Sequence, residues 1–559
     1  MKKAIAYTVC IVTIALISVF LSMGHDWPHT DFLNQQIPFI LETKRMLASG
    51  HPWWSWNTFV GDNFIGGYAF YTITSPFVWL VCLFPANLIM WGILLSFYLK
   101  SCCTVAFAYL YFKKMGFSQE LCTLGGLLYC FSSFFICNLF YFHFCEPIMV
   151  FPILLLSIEK VLNNETRGFF WLAVTSFAMV FINYYFAFSS LLLGALYFFI
   201  RGFSKKRLSF LFVMKTIGCV LLGVCMASVI LLPTILHHIG APRLESTEAH
   251  LSLNGFIYQI VGRIKSLIMP TSTENGSTLL ANACCSVEPY ITLFGMLPTI
   301  VYCFSKRNWL TSIIIIILIL FFPPLNGLFS GFTNEVYSRY LYGMDIFLIL
   351  SILYVIQNKI TITGKNFVVY MMGCVAIIIL SIIVHMLAQH KVDIVHFRLS
   401  KASIIDLLLW GINSIFLAIW IFKKTSTSSL ILLVCLCGCI HLSTSLYLYS
   451  HQIYSTDKMS TLGNNDLFYK NIFSNKLDGT PTHMEYRTDA FSNYRNYSLL
   501  NNKPGLYSFH SSMNKKLVPI RSTVSPGVAS PELIVTRHRD SFGALFSVKD
   551  ILDYRDSIT

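Results

Sequence analysis

The sequence predicts an all-α polytopic membrane protein with about thirteen transmembrane helices, a long first extracytoplasmic loop and a small C-terminal extracytoplasmic α/β or β segment. Composition comes first: 55% of residues are hydrophobic and only 12% charged, against roughly 25% charged in a soluble domain. Mean hydropathy is +0.64. Apolar runs of about twenty residues, each enough to cross a ~30 Å hydrocarbon core as a helix, recur almost from end to end. The alternating ten-residue pattern of an outer-membrane barrel does not occur.

In chain order, Met1-Lys2-Lys3 precedes an apolar run over 4–22. It reads as a retained first span, because no A-x-A cleavage site follows. The N-terminus is then cytoplasmic and Gly24 lies outside. Residues 24–77 form a long first outer loop holding Asp26, Asp31, three histidines (His25, His29, His51), the pair Gln35-Gln36, four tryptophans and a glycine cluster. Long polar loops on a membrane scaffold carry function more often than structure. Residues 75–84 are too short to span and read as interfacial.

A second span over 86–112 ends at Lys113-Lys114 in the cytoplasm. Further spans are predicted at 121–142, 147–162, 168–183, 185–200, 208–232, 288–304, 309–325, 343–357, 366–388, 403–422 and 427–449. This count puts Lys160 and Arg167, Arg201 to Arg207, Lys306 and Arg307, Lys359 and Lys365, and Lys423 and Lys424 on the cytoplasmic side, as the positive-inside rule requires. A second long outer loop runs over 234–287. The polar tail 450–559 is also outside, with strand-like pieces at 517–520, 533–535 and 544–548 separated by Pro and Gly. The chain thus divides into a membrane domain, 1–449, and an extracytoplasmic C-terminal segment, 450–559.

The same pattern disposes of several function classes. A net charge of +14 suggests nucleic acid only if the cations share a face, and here they sit in short clusters between apolar runs. Most of the seventeen cysteines lie inside those runs, where Cys behaves as a small hydrophobe. Cys435, Cys437 and Cys439 alternate, so on a helix successive members point about 200° apart and cannot converge on one metal. No P-loop, dinucleotide fingerprint, HExxH or GxSxG is present. The lack of an internal repeat weighs against an inverted-repeat transporter.

Chemistry therefore falls to polar residues at the outer membrane boundary. If the segment before Pro38 is helical, Asp31 and Gln35 share a face one turn apart. Two readings fit: the carboxylate takes a proton from an acceptor hydroxyl while the amide orients a sugar, or Asp31 caps an amphipathic helix that has Lys44 and Arg45 near its far end. Asp26 is a further substrate contact candidate in this loop. His143 and Glu146 follow the third span and either bind an acceptor or form a solvated turn. Glu288 opens the eighth span. Arg339, beside Tyr337, Tyr340 and Tyr342, either holds a lipid phosphate through charge-assisted bonds or anchors an aromatic belt. Lys100 and Lys215 fall inside predicted spans, facing a bundle interior or snorkelling.

The run Asp31-Phe-Leu-Asn-Gln35-Gln-Ile-Pro38-Phe39, then WNTFVGDNFIGG over 56–67, Tyr68-Ala-Phe-Tyr71 and Ser75-Pro76-Phe77, resembles the opening of the bacterial YfhO membrane protein family. The likeness continues through PILLLSIEKVL over 152–162, Asn183-Tyr184-Tyr185 and Ser338-Arg339-Tyr340, and in the tail through Glu485-Tyr486-Arg487, 501–511 and 545–551. The resemblance implies a GT-C-like fold and a GT-C glycosyltransferase in the bacterial cell membrane, with the tail outside. Such enzymes take a sugar from a polyprenyl-phosphate carrier and transfer it with inversion. The implied acceptor is an envelope glycopolymer such as lipoteichoic acid; membrane lipids are the other partners, and nucleic acid is not one. It makes Asp31 the general base, Gln35 a sugar or acceptor contact and Arg339 a phosphate clamp. No cofactor is firmly implied, and a divalent metal stays open.

There are two departures. Where a Trp-and-Asp turn is expected after the third span, this chain has His143-Phe-Cys-Glu146, and it stops at Thr559 where longer members continue to a further span. A lipid-linked glycan transporter or flippase, and a non-catalytic assembly protein, are the alternative functions.

Overall fold

The computed structural model describes residues 1–23, 35–51, 53–58, 61–139, 141–239, 253–271, 289–320, 325, 327–330, 339–388, 401–451, 487–490, 499, 508–509, 532–533 and 548–552. The chain opens with α1 (Lys2–Met23), where the first span is predicted. The described part of the first outer loop is ordered by short elements. Helix α2 (Ile37–Ser49) carries Pro38 in its first turn and ends at Gly50, whose φ of 72° is the left-handed cap that glycine adopts without strain. A hairpin of β1 (Trp54–Ser55) and β2 (Asp62–Asn63) pairs antiparallel. It leads into α3 (Phe64–Tyr68), where the Asn63 side chain accepts from Gly66 N at 2.9 Å. The stretch expected to be interfacial contains α4 (Pro76–Cys82), begun by Ser75, whose hydroxyl accepts from Val78 N. Lys44 from α2 donates to the carbonyls of Cys82 and Phe84 at 3.3 and 2.7 Å, a cation on the carbonyl end of α4.

The bundle follows. Helix α5 (Ile89–Lys114) is 26 residues long. The predicted span 121–142 breaks in two, α6 (Gln119–Cys130) and α7 (Ser133–Cys137). The Ser132-Ser133 doublet explains the break. Ser132 turns extended, at φ −65° and ψ 154°, and Ser133 N donates to the Tyr290 carbonyl rather than back into α6. Helices α8 (Cys145–Leu162), α9 (Gly168–Ile182) and α10 (Tyr184–Ser204) come next. The predicted span 208–232 is bent by 69° between α11 (Phe210–Met226) and α12 (Ser228–His238).

The second outer loop is not all loop: it holds α13 (Leu253–Ile268). Its signal was legible, since apolar residues recur at 253, 256–257, 260–261, 264 and 267–268, the spacing of one helical face. After it come α14 (Leu297–Ser305), α15 (Trp309–Leu320), α16 (Tyr342–Gln357), α17 (Gly364–Ala388), α18 (Lys401–Lys423) and α19 (Thr427–His451). Helix α13 packs against α17. Helix α14 begins later than the predicted 288–304 because Leu293 and Gly295 take positive φ and turn the chain first.

Among the described residues, six helices are long and apolar enough to cross a membrane, or up to eight if each of two bent pairs is one span. The run that breaks at Ser132 counts as one of the six, as Gln119–Cys137, and the thirteen spans expected from hydropathy are not confirmed by this count. Helices α9, α15 and α16 are apolar but shorter. Helix α16 is buried from Tyr342 to Leu353, as a helix apolar on all sides must be. Helix α17 instead presents Val368, Val369, Met372 and Ile379 outward, a lipid-facing surface.

In the tail, β3 (Arg487–Ala490) pairs parallel with β6 (Val548–Leu552), and β4 (Ser508–Phe509) pairs antiparallel with β5 (Glu532–Leu533). Of the predicted strand 544–548 only Val548 is described, and it lies in β6; of 533–535 only Leu533 is described, and it lies in β5; 517–520 lies outside the described residues. Strand β3, sequence RTDA, has no apolar alternation to announce it. Leu499 is buried in a cluster with Phe39, Met46, Phe64, Tyr68 and Tyr71, so the tail packs onto the first outer loop.

Candidate functional site

Residues far apart in the chain meet around the turn that precedes α8. Glu146, in the first turn of α8, and Lys100, inside α5, are each 1% exposed, and Lys100 Nζ lies 2.8 Å from Glu146 Oε1. Ser75 Oγ donates to the same oxygen at 2.5 Å, and Lys100 Nζ also donates to the Phe142 carbonyl at 2.5 Å while lying 3.2 Å from the Phe142 ring centroid. One ammonium thus ties α5, the 142–146 turn and α8 together, and Ser75 brings in the start of α4. Buried charges persist in this way only when paired and hydrogen-bonded.

Lys100 therefore faces the bundle interior and does not snorkel. Lys215 differs: it is exposed on α11, 4.4 Å from the Phe169 ring. Lys100 stands eleven positions after Ile89, about 16 Å along the axis, so the charged pair is set well away from the N-terminal end of α5.

His143 is 3% exposed, which excludes the solvated-turn reading for the 143–146 segment. Its Nδ1 lies 3.4 Å from Gln36 Oε1, and its carbonyl accepts from Asn183 Nδ2 at 3.1 Å. Aromatic edges surround the ring: Phe144 at 4.5 Å, Tyr71 at 4.7 Å and Phe70 at 5.3 Å between centroids. Gln35 is buried beside Gln36 at the entrance to α2. Thus Gln35, His143 and Glu146 are drawn to one region. Asp26, Asp31 and Glu288 lie outside the described residues, as does the side chain of Arg339, whose backbone opens a short 3-10 turn over Arg339–Leu341.

Several residues escaped the sequence reading. Gln36, the neighbour of Gln35, makes the contact to the 143–146 turn, and the doublet offers no way to choose between them. Glu42 on α2 accepts from Arg45 Nε and Nη2 at 3.1 and 2.9 Å, from Ser55 Oγ at 2.6 Å, and from Asn57 Nδ2 at 3.2 and 3.1 Å. This saturated carboxylate pins the β1–β2 hairpin to α2, and the hairpin leaves Trp53, Trp54 and Trp56 exposed. Glu42 and Arg45 are three apart, an ordinary helical pair by sequence; only folding brings Ser55 and Asn57 to them. Asp62 in the hairpin stands 3.8 Å from His237 at the end of α12. Arg263 and Lys265 of α13 are buried.

No curated protein sequence matches the chain. Among solved structures, it is similar to apo ArnT from Cupriavidus metallidurans, with a TM-score of 0.47 and 11% identity over 89% of this chain and 85% of that one. ArnT from the same organism bound to undecaprenyl phosphate scores 0.46 at 11% identity, over 99% and 90%. The oligosaccharyltransferase AglB from Archaeoglobus fulgidus, in complex with an inhibitory peptide and a dolichol-phosphate, scores 0.45 at 13% identity, over 98% and 69%. At these scores and identities the likeness fixes neither the fold nor the reaction. The sequence match is of a different order: over residues 5–556 the chain fits the family described as bacterial membrane protein YfhO, and it belongs to that family.

Proposed function

We propose that this protein is a GT-C glycosyltransferase that moves a sugar from a polyprenyl-phosphate carrier to an envelope glycopolymer, such as lipoteichoic acid, on the outer face of the membrane. The observation that carries the reading is the meeting of the first outer loop with the 143–146 turn through Gln36 and His143, beside the buried Lys100–Glu146 pair. A loop held against a rigid bundle by buried polar contacts is what positioning a reaction at a membrane surface needs.

In this reading Asp31 deprotonates the acceptor hydroxyl, the oxygen attacks the anomeric carbon with inversion, and the polyprenyl phosphate departs already ionised. Arg339 offsets charge on the leaving phosphate, and Gln35 contacts sugar or acceptor. Asp26 and Glu288, which belong to the two outer loops and their edges, are acceptor contacts. Glu146 and His143 act from the turn: the first keeps Lys100 neutralised and the turn fixed, and the second places Gln36.

The test is mass spectrometry of envelope polymers from cells carrying the wild-type chain, Asp31→Asn, or a deletion. Loss of one hexose or N-acetylhexosamine substituent in both altered strains, with accumulation of the sugar-charged lipid carrier, supports the transferase and identifies the sugar. Unchanged polymers, or an Asp31→Asn strain that matches wild type while the deletion does not, overturn it in favour of transport or assembly.

A further inference from the structure

Gln36 is 1% exposed, yet its Nε2 has no hydrogen-bond partner among the described residues. Its other amide atom, Oε1, faces His143 Nδ1, and His143 is itself held through its carbonyl by Asn183. The amide is therefore oriented and half used. Leaving a buried donor unmet costs about 1–3 kcal/mol, and such groups in native proteins point to a missing partner.

The surroundings say what kind of partner fits. The His143 ring is walled by Tyr71 and Phe70, and Phe70 in turn meets Tyr184 at 5.4 Å. Phe70 and Tyr184 are half-buried, so this wall reaches the surface. The charges fixed beside the turn, Lys100 and Glu146, cancel each other at 2.8 Å. A neutral ring with hydroxyls suits aromatic walls and a single oriented amide, whereas a phosphate would call for an uncompensated cation. A sugar hydroxyl, both donor and acceptor, also satisfies whichever amide atom points away from His143; a phosphate oxygen satisfies only the N–H.

We propose that Gln36, oriented by His143, whose ring is walled by Phe70 and Tyr71 with Tyr184 beyond Phe70, is the subsite for the transferred sugar ring, with its second amide atom bonded to a ring hydroxyl. This rests on the transferase reading above and adds a sugar-discriminating residue to it.

The experiment uses the full chain in nanodiscs and measures binding of two probes: undecaprenyl phosphate, and undecaprenyl phosphate carrying glucose or N-acetylglucosamine. The wild type binds one charged lipid more tightly than the bare lipid. Gln36→Leu, which removes the amide, and Gln36→Glu, which keeps an acceptor for His143 but loses the N–H, each reduce that preference by roughly tenfold, the equivalent of one good hydrogen bond. Their affinity for the bare lipid stays within about twofold of wild type, which also reports that both variants fold.

Equal losses for both probes overturn the proposal, because Gln36 then serves the phosphate or the fold. Unchanged affinities overturn it too. A wild type indifferent to the attached sugar, in a protein whose Asp31→Asn variant still alters envelope polymers, removes the subsite and leaves the transferase standing. A wild type that binds neither lipid, with unaltered polymers, removes both.

Discussion

Lys100 Nζ and the Glu146 carboxylate meet at 2.8 Å, with both side chains 1% exposed. The pair joins α5 to α8 at the turn where His143 and Gln36 also meet. Its energetic role follows from what each partner lacks alone. Removing one charge strands the other in a medium that cannot solvate it, at a cost of about 3–5 kcal/mol, while removing both is far milder.

Thermal unfolding of the full chain in nanodiscs therefore distinguishes a true pair from two independent polar residues. Lys100→Met and Glu146→Gln are each expected to lower stability strongly. The double variant should recover at least about 1 kcal/mol relative to the sum of the two. Glu146→Gln retains an oxygen for Ser75, so the recovery reports the charges and not the Ser75 bond. Additive costs would show that the two side chains are uncoupled.

Glu42 differs in that its partners are local. Its two oxygens collect donors from Arg45, Ser55 and Asn57, so Glu42→Leu strands several buried donors at about 1–3 kcal/mol each. The damage should stay confined, because these partners all belong to α2 and the β1–β2 hairpin. Limited proteolysis is the readout: cleavage within 51–63 should become fast in Glu42→Leu, with the rest of the bundle intact. A cleavage pattern like that of wild type would mean that the hairpin is held by its aromatic contacts instead.

How much of this could be read beforehand depended on whether the signal was local. The helical membrane class, α1, α5, α17, α18 and α19 lie close to where hydropathy places them. The breaks at Ser132 and Ala227 did not show, because a serine doublet or an alanine inside an apolar run carries no hydropathy penalty; only neighbours such as the Tyr290 carbonyl make the interruption favourable. Residues 143–146 stand out in the sequence as a polar break between apolar runs, but their burial is not legible there, since Phe70 and Tyr71, distant in sequence, pack on the His143 ring. The choice of Gln36 over Gln35 as the contact to His143 depends on the helical phase at the start of α2, which two adjacent glutamines cannot reveal. Arg263 and Lys265 carry no signal of burial while 234–287 is treated as a loop; helix α13 is what buries them.

Gly223 offers a test of the packing between α9 and α11. A Cβ there would lie 2.5 Å from the Ala173 carbonyl oxygen and 2.7 Å from Phe177 N. Both are backbone atoms that cannot step aside, so the helices must part. Small residues are what allow membrane helices to approach this closely. Gly223→Ala should therefore destabilise by about 1–3 kcal/mol. A Cβ added at Gly218 on the same helix would meet nothing within 4 Å, so Gly218→Ala should be neutral or stabilising by up to about 1 kcal/mol through helix propensity. If both variants unfold at the same temperature, the close approach of α9 and α11 is absent.

Leu499 anchors the tail. It is 1% exposed and sits in the cluster formed by Phe39, Met46, Phe64, Ile65, Tyr68 and Tyr71, and its carbonyl accepts from Arg45 Nη2. One residue of the tail thus joins the apolar and polar sides of α2 at once. Leu499→Ala should cost about 2–5 kcal/mol at this contact, since it removes a buried side chain and leaves a void against aromatic neighbours. Arg45→Met should also weaken it, by removing the donor to the Leu499 carbonyl, but it unsettles Glu42 as well. The two variants are therefore separable by where they open. Both should speed protease cleavage between 452 and 498, and only Arg45→Met should also expose the β1–β2 hairpin. If Leu499→Ala leaves tail cleavage unchanged, the tail is held to the first outer loop by other contacts and the Leu499 anchor is not what fixes it.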